Sequence, residues 1–482
     1  MQQESLKNRT VKGVGWSAAD AVLGQGVMFL VGLILARILS PEEYGLIGIC
    51  LIFTTVLNGI VESGFSNALI RKKEVTDEDY NTMLLTNLAF SIVLYILLFA
   101  TAPWVADFFH RKELTSLVRA TGLVLFCNAL SITQVTILTK KIDFKTKTKA
   151  SLFSAVISGV IGIAMAFGGY GIWALVAQQL TRQFFYTAGL WILNRWYPKL
   201  TFSKDSFCYM WGFGWKLLVS GILNNVWNQL YQVVIGKFYT PATLGQYTRS
   251  QEYASIFSSN ITSIVQRVSY PVLAEIQDDK ARMVEGYRKV IKMTMFVTAV
   301  CMIFLGAVSE PLIYCLIGEK WHEAAVYLPL ICLSMSLYPL HAINLNMLQV
   351  QGRSDIFLYL EIIKKVIAMI PISIGIFVGI YWMLVTSIIT GVVSYFLNSY
   401  YTGKSLGYSS WKQLRDVAPS YGIACVIAVA VYFLKFMPLS YWAILPLQIL
   451  VGVVIGIVSC EICKLPEYLA CKKMVVGVVN KK

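Results

Sequence analysis

Charge is scarce in this chain. Of its 482 residues, 14% are Asp, Glu, Lys or Arg, against 57% that are hydrophobic. A soluble chain of this length needs more polar surface to cover itself, and no long polar segment is present to fold as a separate soluble domain. An ATP-binding loop of the form Gly-x-x-x-x-Gly-Lys-Ser/Thr is also missing, so ATP is not the direct energy source. Histidine is rare, and His110, His322 and His341 lie far apart. The ten cysteines are scattered, and only Cys460 and Cys463 in "CEIC" are close. A metal site needs further ligands, so these are read as membrane-embedded thiols, with neither metal nor cofactor expected. The short outer connections, such as 107–113, offer no two carboxylates spaced for glycosyl chemistry. A membrane-embedded glycan polymerase or transferase is therefore the less favoured reading, and no enzyme activity is expected.

What the chain does have is apolar runs of bilayer-spanning length, recurring from one end to the other. The expectation is an all-α polytopic membrane protein with about fourteen transmembrane helices, from 14–37 at the start to 440–462 at the end. The opening "MQQESLKNRTVKGVGW" is basic, but no small-residue cleavage site follows, and Asp20 and Gln25 interrupt the first run. An uncleaved first helix is expected. The net charge of +15 would suit a nucleic-acid partner, but its distribution excludes that reading. Alternate connections, counted from the N-terminus, carry 29 Lys and Arg on one side and six on the other. This asymmetry puts both termini in the cytoplasm and makes the basic excess a contact surface for membrane lipid headgroups.

Two stretches echo each other. "ARILSPEEYGLIGI" occupies 36–49 and "GKFYTPATLGQYTR" occupies 236–249. In the first, Ser40, Pro41 and Glu43 form the pattern of a capping box at a helix start, and Thr240 and Pro241 repeat the cap. "GVGW" at 13–16 returns as "GFGW" at 212–215, and Trp173 of "GYGIWALV" matches Trp382 of "GIYWMLV". The matches keep their order, which implies a duplicated unit of six helices. Six is even, so both copies enter the membrane in the same direction. The expected divisions are 1–204 for the N-terminal lobe, 205–410 for the C-terminal lobe, and 411–482 for a final helix pair with a basic cytoplasmic tail.

Taken together, "ARILSPEEYGLIGI", "ESGFSNALIRKK", "GYGIWALV", "GQYTRSQEYASIFSSNITSIVQRVSYPVLAEIQDD" and "LIGEKWHEAAVYLPLICL" resemble the polysaccharide flippases of the MOP exporter superfamily. The nearest branch is the Wzx-type exporters grouped with colanic-acid and teichuronic-acid transporters. The resemblance runs from about residue 10 to about residue 410. It implies two six-helix lobes forming a V and alternating access across the bacterial cytoplasmic (inner) membrane. It implies an oligosaccharide on a polyprenyl diphosphate as cargo, with a polysaccharide polymerase and glycosyltransferases as partners. An ion-coupled multidrug exporter of the same superfamily is the alternative.

Charged groups inside membrane helices cost roughly 2.5–3.5 kcal/mol each on insertion scales, so they normally face a bundle interior or an aqueous cavity. The candidates for the substrate cavity are Arg182, Lys216, Arg249, Glu252 and Lys364. Asp20, Glu62 and Glu361 are candidates for ion coupling or for pairing between lobes. Arg249 with Glu252, and Glu361 with Lys364 or Lys365, are also spaced to neutralise each other on one helical face. Lys216 is open to a second reading as a headgroup anchor. The stretch "LNNVWNQLYQ" places Asn224, Asn225, Asn228 and Gln232 on one stripe. Such amides either bind sugar hydroxyls as donors and acceptors or bond between helices. His341, Asn344 and Asn346, with Gln349 and Gln351, make a weaker version of the same case.

Overall fold

The computed structural model describes residues 16, 23–62, 64–276 and 279–479. Asp20 lies outside them, as does most of "GVGW". The described residues form α-helices and short 3-10 turns, with no strand among them. The chain divides into two compact units, Met1–Gly245 and Gln246–Lys482. The first holds α1 (Gln25–Ile38), α2 (Pro41–Glu62), α3 (Phe65–Arg71), α4 (Asp77–Phe108), α5 (Leu114–Gly122), α6 (Val124–Lys140), α7 (Phe144–Phe167), α8 (Ile172–Asn194) and α9 (Lys204–Phe238). α10 (Pro241–Glu275) begins in the first unit and continues in the second. The second unit adds α11 (Lys280–Ala307), α12 (Ser309–Leu316), α13 (His322–Ser336), α14 (Tyr338–Val350), α15 (Ser354–Phe377), α16 (Ile380–Leu406), α17 (Ser410–Phe433), α18 (Tyr441–Cys463) and α19 (Pro466–Val479). α9, which opens the second copy of the sequence echo, packs on α2 and α3 of the first unit.

Nine helical segments among the described residues are long and apolar enough to cross a membrane, from Pro41–Arg71 to Tyr441–Cys463. Of the other long helices, α8, α9 and α10 are less apolar, while α15 is apolar but carries Glu361, Lys364 and Lys365 close together. α9 and α10 each run for 35 residues, about 52 Å at ~1.5 Å per residue. That exceeds the hydrocarbon thickness of ~30 Å, so these two helices either tilt or project from it.

The capping box expected from "SPEE" is present. Ser40 N donates to Glu43 Oε2 at 2.6 Å, and Glu43 N donates to Ser40 Oγ at 3.3 Å. In the second copy Thr243 N donates to Thr240 Oγ1 at 3.2 Å. The two helix starts then meet each other. A Cβ added at Gly45 would lie 1.7 Å from Pro241 O, and one added at Gly245 would lie 2.0 Å from Pro41 O. Equivalent glycines thus admit equivalent proline carbonyls, so the echo specifies a reciprocal contact as well as two turns.

A buried carboxylate braces the opposite end of the first unit. Asp79 is fully buried and accepts from Lys72 Nζ at 2.7 Å and from Thr76 N at 2.9 Å. Each bond is charge-assisted, and together they offset the cost of burying the charge.

In the second unit, apolar packing centres on Tyr287, Ile291 and Met295 of α11 with Ile343 and Met347 of α14, Tyr395 of α16 and Val417 of α17. A polar network crosses this core. Asn344 Oδ1 accepts from Tyr287 Oη and Thr402 Oγ1, each at 2.8 Å, while Asn344 Nδ2 donates to Gln413 Oε1 at 3.1 Å. Asn344 is fully buried, so four helices are held in register by one satisfied amide. His341 joins through Asn398 at 3.2 Å. These two residues of the weaker amide case therefore sit in interhelical hydrogen bonds.

Candidate functional site

Polar side chains from four helices of the first unit converge on a cavity of about 390 Å³. α2 contributes Thr55, Asn58 and Glu62, spaced three and four apart on one face. α3 contributes Ser66, α6 contributes Asn128 and Ser131, and α9 contributes Asn225. Gly59 sets the approach of α9 to α2, because a Cβ there would lie 2.5 Å from Asn225 Nδ2. On α6, Asn128 Oδ1 and Ser131 Oγ both accept from Gln183 of α8, the second at 3.4 Å. Ser66 is fixed by Thr136 at 3.0 Å. Asn58 Oδ1 is different: it is buried and accepts no hydrogen bond from the protein.

The backbone breaks at the same place. α2 ends at Glu62, Gly64 takes φ +67°, and α3 resumes at Phe65, all within one span-length segment. A left-handed φ favours glycine. An interrupted helix at membrane depth is tolerated where it lines a cavity or is buried in protein. Glu62, at the break, is exposed at the cavity wall.

The predicted residues separate into three groups. Glu62 and Asn225 line the polar cavity. On α9, Lys216, Asn224 and Asn228 are exposed and follow a four-residue spacing with Ser220, which makes one polar face; Gln232 is half-buried. Arg182 is exposed on α8, one position from the Gln183 brace and outside the cavity lining. The two acid–base spacings in the second unit are paired. Arg249 Nη1 lies 2.6 Å from Glu252 Oε2, with the arginine buried and the carboxylate half exposed. Lys364 Nζ binds Glu361 Oε1. Neutralisation within the helix, left open by the sequence, is therefore what α10 and α15 do.

Sequence reasoning passed over Thr55, Asn128, Ser131 and Gln183. Their signal is faint but present: "FCNALSITQ" sets Asn128 and Ser131 three apart inside an apolar run. Chemically, the cavity offers amide and hydroxyl groups that both donate and accept, plus one carboxylate. Among the described residues no cluster of His, Cys, Asp and Glu is arranged to hold a metal ion.

Comparison with known proteins shows the family. The family model described as "Polysaccharide biosynthesis protein" matches residues 34–326. The succinoglycan biosynthesis transport protein ExoT of Rhizobium meliloti (strain 1021) is 26% identical over 355 residues, covering 74% of this chain and 72% of that protein. The teichuronic acid biosynthesis protein TuaB of Bacillus subtilis (strain 168) is 26% identical over 358 residues, covering 74% of each chain. Among solved structures, the lipid II flippase MurJ in an inward closed conformation aligns with a TM-score of 0.72 at 17% identity. It covers 94% of this chain and 98% of that one. At that identity the likeness is one of fold.

Proposed function

As a member of the polysaccharide biosynthesis protein family, this chain is, we propose, an alternating-access flippase for a polyprenyl-diphosphate-linked oligosaccharide. It acts in the bacterial cytoplasmic membrane for the synthesis of a cell-surface polysaccharide. The proposed arrangement is fourteen spans, two parallel six-helix repeats followed by a final helix pair, and both termini in the cytoplasm. The 29-to-six division of Lys and Arg supports that orientation.

The observation that carries the reading is the polar cavity of the first unit, set among apolar helices. A glycan and a diphosphate cannot cross hydrocarbon unaided, because their polar groups lose water without replacement. Asn58, Asn225 and Asn128 offer amide partners for sugar hydroxyls, and the exposed face of α9 extends that surface. Arg182 and Lys216 supply positive charge for the diphosphate, the arginine by a two-pronged geometry. Arg249 and Lys364 of the second unit are each taken up by an acid of their own helix, Glu252 and Glu361. Glu62 is the carboxylate through which an ion gradient couples to the cycle.

The test is reconstitution. Purified protein in liposomes is expected to expose the glycan of its native lipid-linked cargo to an external lectin, without ATP and without a covalent change. No protein-dependent gain in accessibility under a proton or sodium gradient would refute the proposal. Gradient-driven export of small cationic drugs in its place would assign the chain to efflux.

A further inference from the structure

A groove of the second unit lies away from these residues. It has a volume of about 780 Å³ and runs between α11, α13 and α17, within the ~300–1,000 Å³ of ordinary ligand sites. Val326, Leu333, Val429 and Phe433 line it and are 51%, 43%, 56% and 64% exposed, so its wall opens sideways. On spanning helices, an open apolar wall faces acyl chains. One end is charged. Lys435 follows α17, and Glu310 lies in α12, with their Nζ and Oε2 atoms 3.4 Å apart. Charge-assisted pairs close to ~2.7–2.9 Å, so this pair is loose and each partner keeps hydrogen-bonding capacity. Tyr441 Oη approaches Glu310 Oε1 at 3.4 Å, and the Lys435 ammonium rests 4.2 Å from the Tyr432 ring centroid.

We infer that this groove binds a phospholipid whose headgroup carries both a phosphate and a primary ammonium, as phosphatidylethanolamine does. Lys435 takes the phosphate, Glu310 takes the ammonium, and one acyl chain lies along Leu333 and Val429. Charge complementarity selects the occupant. A single adjacent cation and carboxylate match a zwitterion, whereas an anionic headgroup meets the Glu310 carboxylate. A choline headgroup has no N–H to donate to it. An aromatic and basic rim at the end of a span is also where headgroups sit. With both termini in the cytoplasm the bound lipid belongs to the outer leaflet; that clause alone rests on the proposed topology.

The test is native mass spectrometry of the full-length protein after equilibration with equimolar phosphatidylethanolamine, phosphatidylglycerol and phosphatidylcholine. The wild type is expected to retain phosphatidylethanolamine at least fivefold over either competitor. Glu310→Gln removes the repulsion of anions, so retained phosphatidylglycerol should rise to match or exceed phosphatidylethanolamine. That gain of binding cannot come from unfolding. Leu333→Trp fills the groove and should reduce all three lipids together. No preference in the wild type, an unchanged preference in Glu310→Gln, or displacement of phospholipid by added polyprenyl phosphate would overturn the proposal. None of these readouts depends on transport, so failure here leaves the flippase reading standing, and the converse holds.

Discussion

Replacing Gly45 by alanine adds one atom where there is no room for it. The new Cβ would lie 1.7 Å from Pro241 O and 2.4 Å from Pro241 C. Both obstacles are backbone, so no side chain can swing aside. Restoring ordinary contact at about 3.5 Å requires the helix starts to separate by nearly 2 Å. Overpacking of this kind costs about 1–3 kcal/mol. Helix propensity acts in the opposite direction, since Gly→Ala inside a helix gains up to ~1 kcal/mol. A net loss of about 1–2 kcal/mol of the packed arrangement follows, roughly 5- to 30-fold in its equilibrium. Gly245→Ala should behave alike, because its Cβ would lie 2.0 Å from Pro41 O. The double variant should cost less than the sum, since one separation relieves both clashes. The assay pairs thermal melting in detergent with the labelling rate of a single cysteine at position 240 in a cysteine-free background. Gly422→Ala serves as the control, because nothing lies within 4 Å of its Cβ. It should melt at the same temperature or higher. If Gly45→Ala melts and labels like Gly422→Ala, the reciprocal contact does not hold the two turns together.

The proposed topology predicts that single cysteines at positions 40 and 240 both react with an impermeant thiol reagent added outside; labelling from opposite sides would remove the parallel duplication. In the polar cavity, Asn58→Leu removes a buried acceptor that no protein group satisfies, so folding should be preserved while lectin-detected transport falls at least tenfold. Gln183→Leu, by contrast, leaves Asn128 without its brace and should lower both. Lys72→Ala uncovers the fully buried Asp79 carboxylate and should destabilise the fold by about 3–5 kcal/mol, seen as loss of folded protein on size-exclusion chromatography. Lys72→Ala with Asp79→Asn should recover much of that loss.

The parts of this protein written in short windows were legible. Ser40, Pro41 and Glu43 announce their cap because all three partners fall within one turn. The pairing of Arg249 with Glu252 was visible as a spacing for the same reason. What was not legible depends on distant chain. The stripe on α9 reads as one face, but its members end in different surroundings. Asn225 enters the polar cavity because Gly59 lets it approach, while Asn224 and Asn228 stay exposed. Asn344 resembled its neighbours as a candidate ligand, and only the arrival of Tyr287, Thr402 and Gln413 makes it a buried knot. The Gly45 and Gly245 contacts were likewise hidden, although the echo that contains both residues was plain.

Four long helices outside the nine span-length segments carry nearly all of the residues that the sequence nominated for the site. α8 holds Arg182, α9 holds Lys216 and the amide stripe, α10 holds Arg249 and Glu252, and α15 holds Glu361 and Lys364. A helix that gives up apolarity in lipid needs a different surrounding for its polar face. α10 and α15 manage their charge internally, by an acid three residues from a base. α9 relies on uncharged amides, which bind either water or a hydroxylated ligand. α2 follows neither course. It is strongly apolar and yet places Glu62 at a break before the left-handed Gly64, within one span-length segment. An acid at an interrupted helix, with its side chain at the cavity wall, has the geometry for exchanging a proton or cation during a cycle. Glu62→Gln keeps the shape and removes the charge. Transport that persists in Glu62→Gln but no longer responds to an ion gradient would identify it as the coupling group; an unchanged gradient response would exclude it.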